Sequence, residues 1–143
     1  MFLGTFEPKL DDKGRVALPA RFREEMQGGI VVTKGQERCL VAYPAEDFKR
    51  LVAEYSQAPA TQKRARNYLR VLLASATQEI PDKQGRIVIP QELRRYAGLG
   101  KELAVIGTGS RVEIWDSDAW RDFLEAEEEV FADTEEEIIP GLF

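Results

Sequence analysis

The sequence predicts an α+β fold in which two tandem copies of one unit close a single barrel-like core. The first observation is a repeat, because DDKGRVALP at 11–19 recurs as DKQGRIVIP at 82–90. The second is that the match continues beyond the motif, with an offset of 71 at Arg23 and Arg94 and of 72 from Gly35 and Gly107 onward. The third is that each copy has four short strands, too few to bury a strong core alone. We therefore expect the two copies to share one core about a pseudo-twofold axis.

The first copy, residues 1–56, alternates short strands and helices. Its apolar runs and turn residues predict strands over 2–6, 15–18, 30–33 and 39–43. A short helix is predicted over 20–26, with Pro19 as the first helical residue, where a missing N–H costs nothing. Residues 45–55 are predicted to form an amphipathic helix, because apolar side chains recur there at i, i+3, i+4 and i+7.

The second copy, residues 70–130, repeats this order. Strands are predicted over 71–79, 87–89, 103–106 and 112–115, and helices over 91–97 and 117–130. Ser117 is the predicted N-cap of the last helix, whose Trp120, Phe123 and Leu124 are expected to face inward. Residues 57–69 form a Pro-containing linker at 57–61 followed by a basic helical stretch, and residues 131–143 form an acidic tail.

Composition excludes several kinds of chemistry. The 143 residues contain no histidine and one cysteine, so the chain has no imidazole base, no imidazole metal ligand and no internal disulfide. Cys39 lies in an apolar run and is predicted to be a small buried side chain. We expect no enzymatic activity, no cofactor and no metal. Because no apolar stretch approaches membrane-spanning length, we expect a cytoplasmic protein.

The negative charge of the chain is confined to one end. The net charge of −5 comes from 20 basic and 25 acidic residues, and residues 125–143 hold eight acids and no base. Residues 1–124 therefore carry 17 acids against 20 bases, a balance of +3. A sequence pI near 5.0 thus does not exclude a nucleic-acid partner.

The duplicated D-x-x-x-R motif is the strongest functional signal. It pairs Asp11 with Arg15 and Asp82 with Arg86, and a glycine precedes each arginine. One interpretation is that the guanidinium groups read guanine O6 and N7 or grip phosphate. The other is that each Asp–Arg ion pair only pins its turn, with the glycine supplying a positive φ. The basic cluster at 63–70 likewise is either a phosphate contact or a solvated helix face.

The opening Phe2-Leu3-Gly4, the paired motif and the duplication together resemble the MraZ family of bacterial transcriptional regulators. This family belongs to the AbrB-like swapped-hairpin superfamily, in which two hairpin units interleave into one barrel. The resemblance implies that both units of such a barrel lie in this one chain.

The resemblance also implies a function. It implies a repressor at the promoter of the division and cell-wall gene cluster, binding short G-rich direct repeats of double-stranded DNA as a ring of about eight copies. Nucleoid association would follow, with no membrane or small-molecule partner. The resemblance implies that Arg15 and Arg86 contact DNA, with Asp11 and Asp82 as their acidic partners. Lys13 and Lys83, basic residues at non-equivalent positions of the same turns, are predicted as further DNA contacts, and Gly14 and Gly85 complete the motifs.

Two alternatives remain open at this point. The first is an AbrB-like antitoxin that binds DNA with the same fold and holds a toxin with the acidic, partly apolar segment 125–143. An adjacent toxin gene would favour it, whereas adjacent methyltransferase and division genes would favour the regulator. The second is a scaffold ring without affinity for DNA, which a gel shift would distinguish.

Overall fold

A computed structural model describes residues 1–57 and 61–142 of the chain, so the centre of the predicted linker, 58–60, lies outside the described residues. The described residues form eight strands and five helices. The strands are β1 Phe2–Phe6, β2 Arg15–Ala17, β3 Ile30–Lys34, β4 Leu40–Pro44, β5 Thr77–Glu79, β6 Arg86–Val88, β7 Leu103–Gly109 and β8 Val112–Asp116. The helices are α1 Ala20–Arg23, α2 Ala45–Tyr55, α3 Lys63–Ala74, α4 Gln91–Tyr96 and α5 Ser117–Asp133, and a 3₁₀ turn, Glu24–Met26, extends α1.

The two units are interleaved rather than placed side by side. Six of the described strands form one sheet in the order β1-β7-β8-β4-β3-β5. The first strand of each unit leaves its own unit, since β1 pairs with β7 and β5 pairs with β3, both antiparallel. The remaining strands, β2 and β6, pair with each other in a separate two-stranded ribbon. This exchange confirms the predicted swapped, pseudo-twofold architecture.

Both units contribute to one core beneath the sheet. Alternate residues of the strands face it, as in β3, where Ile30 and Val32 are fully buried on the inner side. The ribbon closes the core from below through Val16 and Ile87, which are 1% and 2% exposed. The other large core side chains are Phe2, Leu10, Leu18, Phe22, Met26, Leu40, Ile89, Leu93, Leu103, Val105, Val112 and Ile114. The prediction of a shared core is therefore confirmed.

The outer face of the sheet carries the longer helices. Helix α2 covers β3 and β4 through a cluster that includes Tyr43 and Phe48. Helix α5 covers β7 and β8, where Trp120 and Phe123 pack on the buried Trp115. Because both faces of the sheet are covered there, β3, β4 and the first half of β7 are almost continuously buried and apolar instead of strictly alternating.

Cys39 belongs to the cluster beneath α5 and is 2% exposed. Burial is the main cause that raises the pKa of its thiol to about 12, so the thiol stays protonated at neutral pH. The prediction of a small buried side chain is confirmed.

The predicted strand over 71–79 is wrong for most of its length. Helix α3 continues to Ala74, and only Thr77–Glu79 is extended. The helix is held by Leu72, which is buried and whose carbonyl accepts a hydrogen bond from Thr33 Oγ1 at 2.5 Å. A short apolar run does not by itself distinguish a strand from a buried helical turn, and here this tertiary contact decides.

Three details of the helices also differ from expectation. Asp116, not Ser117, is the N-cap of α5, because its Oδ2 accepts from the N–H of Ala119 at 3.4 Å. Leu124 does not face inward, since 37% of its surface is exposed. Pro19 is not the first residue of α1 but its N-cap, with an extended backbone.

Gly107 lets the exchanged strand β1 approach β7. It stands opposite Gly4, and a Cβ at this position would lie 2.4 Å from the nitrogen of Leu3 and 2.4 Å from the carbonyl carbon of Phe2. Backbone atoms of a paired strand cannot move aside as a flexible side chain can. We expect Gly107→Ala to lower the free energy of unfolding by about 1–3 kcal/mol, as overpacking does, measured by urea denaturation.

Gly28→Ala is the matched control for this substitution. No atom lies within 4 Å of the Cβ position at Gly28. Its stability should therefore equal or slightly exceed that of the parent protein. Wild-type stability of Gly107→Ala would contradict the close approach of the two strands.

Candidate nucleic-acid interface

The first D-x-x-x-R motif folds into a closed turn around the carboxylate of Asp11. Asp11 Oδ1 accepts from the backbone N–H groups of Lys13 at 2.9 Å and Arg15 at 2.8 Å. Its Oδ2 accepts from Nε of Arg15 at 2.7 Å. Gly14 donates its N–H to the Asp11 carbonyl at 3.0 Å and has a φ of +77°, which disfavours a side chain. One aspartate therefore fixes both the turn and the arginine that follows it.

The second motif folds in the same way. Asp82 accepts from the N–H groups of Gln84 and Arg86, both at 2.9 Å, and from Nε of Arg86 at 2.8 Å. Gly85 has a φ of +75° and donates to the Asp82 carbonyl at 2.9 Å. The predicted positive φ at both glycines is confirmed, and so is the ion pair that pins each turn.

The ribbon of β2 and β6 brings the two arginines onto one surface. Its register pairs Arg15 with Val88, Val16 with Ile87, and Ala17 with Arg86. Directly paired residues of an antiparallel ribbon share a face, as do residues two apart on one strand. Val16 and Ile87 point into the core, so Arg15 and Arg86 both lie on the opposite, outward face of the ribbon. They are diagonal neighbours, a relation in which the Cα atoms are about 7–8 Å apart.

Backbone hydrogen bonds join each turn to the other unit's strand. The N–H of Leu18 donates to the carbonyl of Gly85 at 3.1 Å, and that of Ile89 donates to the carbonyl of Gly14 at 2.8 Å. The two turns are thus fixed relative to each other. A ligand that contacts one arginine therefore meets the second at a defined position.

The guanidinium groups are anchored at one end and open at the other. The side chains of Arg15 and Arg86 are each 30% exposed, and each uses Nε for its aspartate. Among the described residues, no acceptor binds the Nη atoms of either arginine.

The pKa of both aspartate carboxyls lies below the ordinary value of 3.8. The largest cause is the hydrogen bond from the backbone N–H of Arg15 to Asp11 and from that of Arg86 to Asp82, so both carboxyls remain charged at neutral pH.

The two lysines of the turns do not occupy equivalent places. Lys13 supplies one of the N–H groups that cap Asp11, whereas Gln84 takes that place in the second turn. Lys83 lies one position earlier and is exposed, as Lys13 is. The structure brings both lysines close to the arginines but gives them no common geometry.

The basic cluster at 63–70 lies elsewhere. It belongs to α3, which packs on the outer face of the sheet through Leu72 and contacts α2 through Tyr68 and Tyr55. The ribbon lies beneath the inner face, so the sheet separates this cluster from Arg15 and Arg86.

Two arginines beside the turns were missed from the sequence. Arg94 lies against Gly14, and Arg23 lies against Gly85. The only sequence signal was their identity at the repeat offset of 71, which does not distinguish a site residue from a helix surface residue.

The lowered carboxyl pKa values predict a pH dependence. A carboxyl whose pKa is lower in the folded than in the unfolded state stabilises the fold at every pH above its unfolded pKa, which is 3.8 here. This stabilisation is lost as the pH falls through the folded pKa. We expect Asp11→Asn and Asp82→Asn to lower the melting temperature at pH 7 and to flatten its fall between about pH 5 and pH 2. Asp12→Asn is the control, and a pH profile like the parent's in the two variants would refute the carboxylate's role.

Among the described residues, no helix combines the length and the apolarity that crossing a bilayer requires.

Known proteins resemble this chain over its whole length. The profile of the family described as "MraZ protein, putative antitoxin-like" matches twice, at residues 1–71 and 72–139. A protein of Kocuria rhizophila named "Transcriptional regulator MraZ" is 59% identical over 143 residues, covering all of both chains. Proteins with the same name from Clavibacter michiganensis subsp. michiganensis and Micrococcus luteus are 59% and 50% identical, again over all of both chains. With its duplicated D-x-x-x-R turn, its interleaved units and these full-length relatives, the chain belongs to the MraZ family.

Proposed function

We propose that this protein is a sequence-specific DNA-binding regulator of transcription that presents Arg15 and Arg86 to the major groove. The observation that carries the proposal is that both arginines lie on the outward face of one two-stranded ribbon. The major groove admits such a ribbon, and an arginine can bind guanine O6 and N7 with two parallel hydrogen bonds. The name of the relatives, "Transcriptional regulator MraZ", agrees with this activity.

The aspartates fix the orientation in which each guanidinium group meets a base. Each carboxylate holds Nε, while the two Nη atoms remain for a bidentate contact. An arginine that is already oriented loses less side-chain entropy when it binds. The ion pair and the DNA contact are therefore compatible roles of one side chain.

The target and the assembly form the finer part of the proposal. We infer repression at the promoter of the division and cell-wall gene cluster through short G-rich direct repeats, with the protein associated with the nucleoid. A ring of about eight copies would engage several repeats at once, so that weak contacts add through effective concentration. Two kinds of surface are available to neighbouring copies: the edge strands of the sheet, β1 and β5, and the exposed side chains of Val130 and Phe131 on α5.

Binding to the promoter upstream of the protein's own gene tests the proposal. We expect footprints over its repeats, much weaker binding to random DNA of the same length, and log K falling linearly with log salt by about 0.9 per neutralised phosphate. Equal affinity for promoter and random DNA at physiological salt would refute sequence-specific regulation. A complete lack of binding to either would instead favour the scaffold ring.

Light scattering tests the assembly separately. We expect a solution mass several times the 16.2 kDa of one chain. A stable monomer at micromolar concentration would refute the ring but not the DNA contact.

The antitoxin hypothesis keeps one observation in its favour. The segment after α5 is acidic and exposes Ile138, Ile139 and Leu142, a combination suited to a basic, partly apolar partner protein. Co-expression with the products of the adjacent genes tests it. Capture of a neighbour-encoded toxin that is lost on deleting residues 131–143 would support it.

A further inference from the structure

Each D-x-x-x-R turn, at 11–15 and at 82–86, is in contact with an arginine of the other unit. A Cβ at Gly14 would lie 2.9 Å from Cζ of Arg94, and a Cβ at Gly85 would lie 2.1 Å from Nη1 and 2.2 Å from Cδ of Arg23. The space that a side chain would occupy at each glycine is thus filled by an arginine side chain from across the unit boundary. Arg23 is the last residue of α1, and Arg94 lies within α4. The two residues occupy equivalent places in the repeat.

These contacts are packing contacts rather than ion pairs. Nε of Arg23 and Nε of Arg94 are buried, and neither has a hydrogen-bond partner among the described residues. A buried donor without a partner is rare in native proteins because its desolvation is not compensated. The same arrangement recurs at both equivalent positions of the repeat, so each turn has an arginine of the other unit packed against its glycine.

The positive φ is the main reason why glycine occupies these positions, and the arginine contacts add to it. A positive φ alone would accept asparagine as well as glycine. Any side chain at Gly14 or Gly85 would, in addition, displace the arginine that fills the space above it.

We propose that Arg23 and Arg94 are positioning residues that act across the unit boundary. Arg94 supports the turn that carries Arg15, and Arg23 supports the turn that carries Arg86. The contact itself follows from the fold, whereas its effect on DNA affinity rests on the proposed function. As a consequence, each D-x-x-x-R turn depends on an arginine that belongs to the other unit.

Hydrogen exchange measured by mass spectrometry tests the positioning directly. In Arg94→Ala, we expect loss of exchange protection in peptides that cover residues 11–15 and unchanged exchange at 82–86. Arg23→Ala should show the reverse. Arg95→Ala, an exposed neighbour on α4, and Arg21→Ala on α1 are the controls and should change neither turn. Equal loosening of both turns, or loosening confined to the variant's own helix, would overturn the proposal.

Should Arg94→Ala fail to fold, Arg94→Gln keeps most of the side chain's length without the guanidinium and is read in the same way.

Promoter affinity distinguishes positioning from a direct charge contact. We expect Arg94→Ala to weaken promoter binding roughly tenfold, within the range for losing one bidentate arginine–guanine contact, at an unchanged melting temperature. Arg94→Lys should bind as weakly, because an ammonium group cannot pack flat over the glycine. Full affinity in Arg94→Lys would overturn the proposal in favour of a phosphate contact. Failure of the parent protein to bind the promoter would refute the proposed function while the exchange experiment still decides the positioning role.

Discussion

Replacing both Arg15 and Arg86 with alanine is expected to abolish promoter binding while the protein remains folded. A bidentate contact between arginine and guanine contributes about 1–3 kcal/mol of discrimination. If several copies of the chain engage neighbouring repeats, the loss recurs in each copy, so even a single substitution should weaken binding severely. Fluorescence anisotropy with labelled promoter DNA measures the affinity, and thermal melting measures the fold.

The fold should tolerate these substitutions because the arginine side chains are not part of the core. The ribbon is held inward by Val16 and Ile87, and the carboxylate of Asp11 keeps its two backbone partners when the Arg15 side chain is removed. Lys13→Ala is the matched comparison and should weaken binding less than Arg15→Ala, since the second copy has Gln84 at this place. A folded double variant with native affinity would refute the assignment of the site.

A third outcome is equally informative. If the double variant melts at a much lower temperature and binding is lost only in proportion to unfolding, the arginines serve chiefly to pin their turns.

Replacing Phe22 with alanine is expected to cost about 3–5 kcal/mol of unfolding free energy, the range for a buried phenylalanine. Phe22 is 1% exposed and makes edge-to-face contacts with Phe2 at 5.3 Å and with Phe6 at 5.0 Å between ring centroids. It therefore fastens the exchanged strand β1 to the core. Because domains of this size are stable by about 5–15 kcal/mol, a large part of the total would be lost. Urea denaturation gives the value.

Leu93→Ala provides the comparison within the same molecule. Leu93 is the equivalent of Phe22 in the second unit and is 2% exposed, so it should also cost about 2–5 kcal/mol. Only Phe22→Ala should selectively increase hydrogen exchange in β1, because the aromatic contacts to β1 are made by Phe22. A loss below about 1 kcal/mol in Phe22→Ala would contradict this packing.

The parts of the structure that could be predicted from sequence are those repeated in it. The motif at 11–19 and 82–90 was enough to predict two equal turns, a positive φ at Gly14 and Gly85, and an ion pair within each turn. These features depend only on local interactions, because an aspartate, a glycine and an arginine at fixed spacing supply the hydrogen bonds, the positive φ and the ion pair of the turn.

The parts that could not be predicted depend on contacts between distant residues. The apolar run at 71–74 is helical and not extended, because α3 packs on the sheet through the buried Leu72, whose carbonyl accepts a hydrogen bond from Thr33 Oγ1. The exchange of strands was expected only from the family resemblance, because the alternation of polar and apolar residues does not encode which strands β1 and β5 pair with. The contact of Arg94 with Gly14 and of Arg23 with Gly85 likewise crosses the unit boundary, and the spacing of residues within one unit gives no information about it.

The exchange of strands has a consequence for how the chain folds as it is made. Phe2 pairs with Gly109, so β1 has no native partner until β7 has been synthesised. At about 5–20 residues per second, the ribosome needs several seconds to reach that point. Pairing over such sequence distances is slow, and β1 of one nascent chain can meanwhile pair with β7 of another in the same register. Refolding at high concentration should therefore yield strand-exchanged dimers, and dilution during refolding should suppress them.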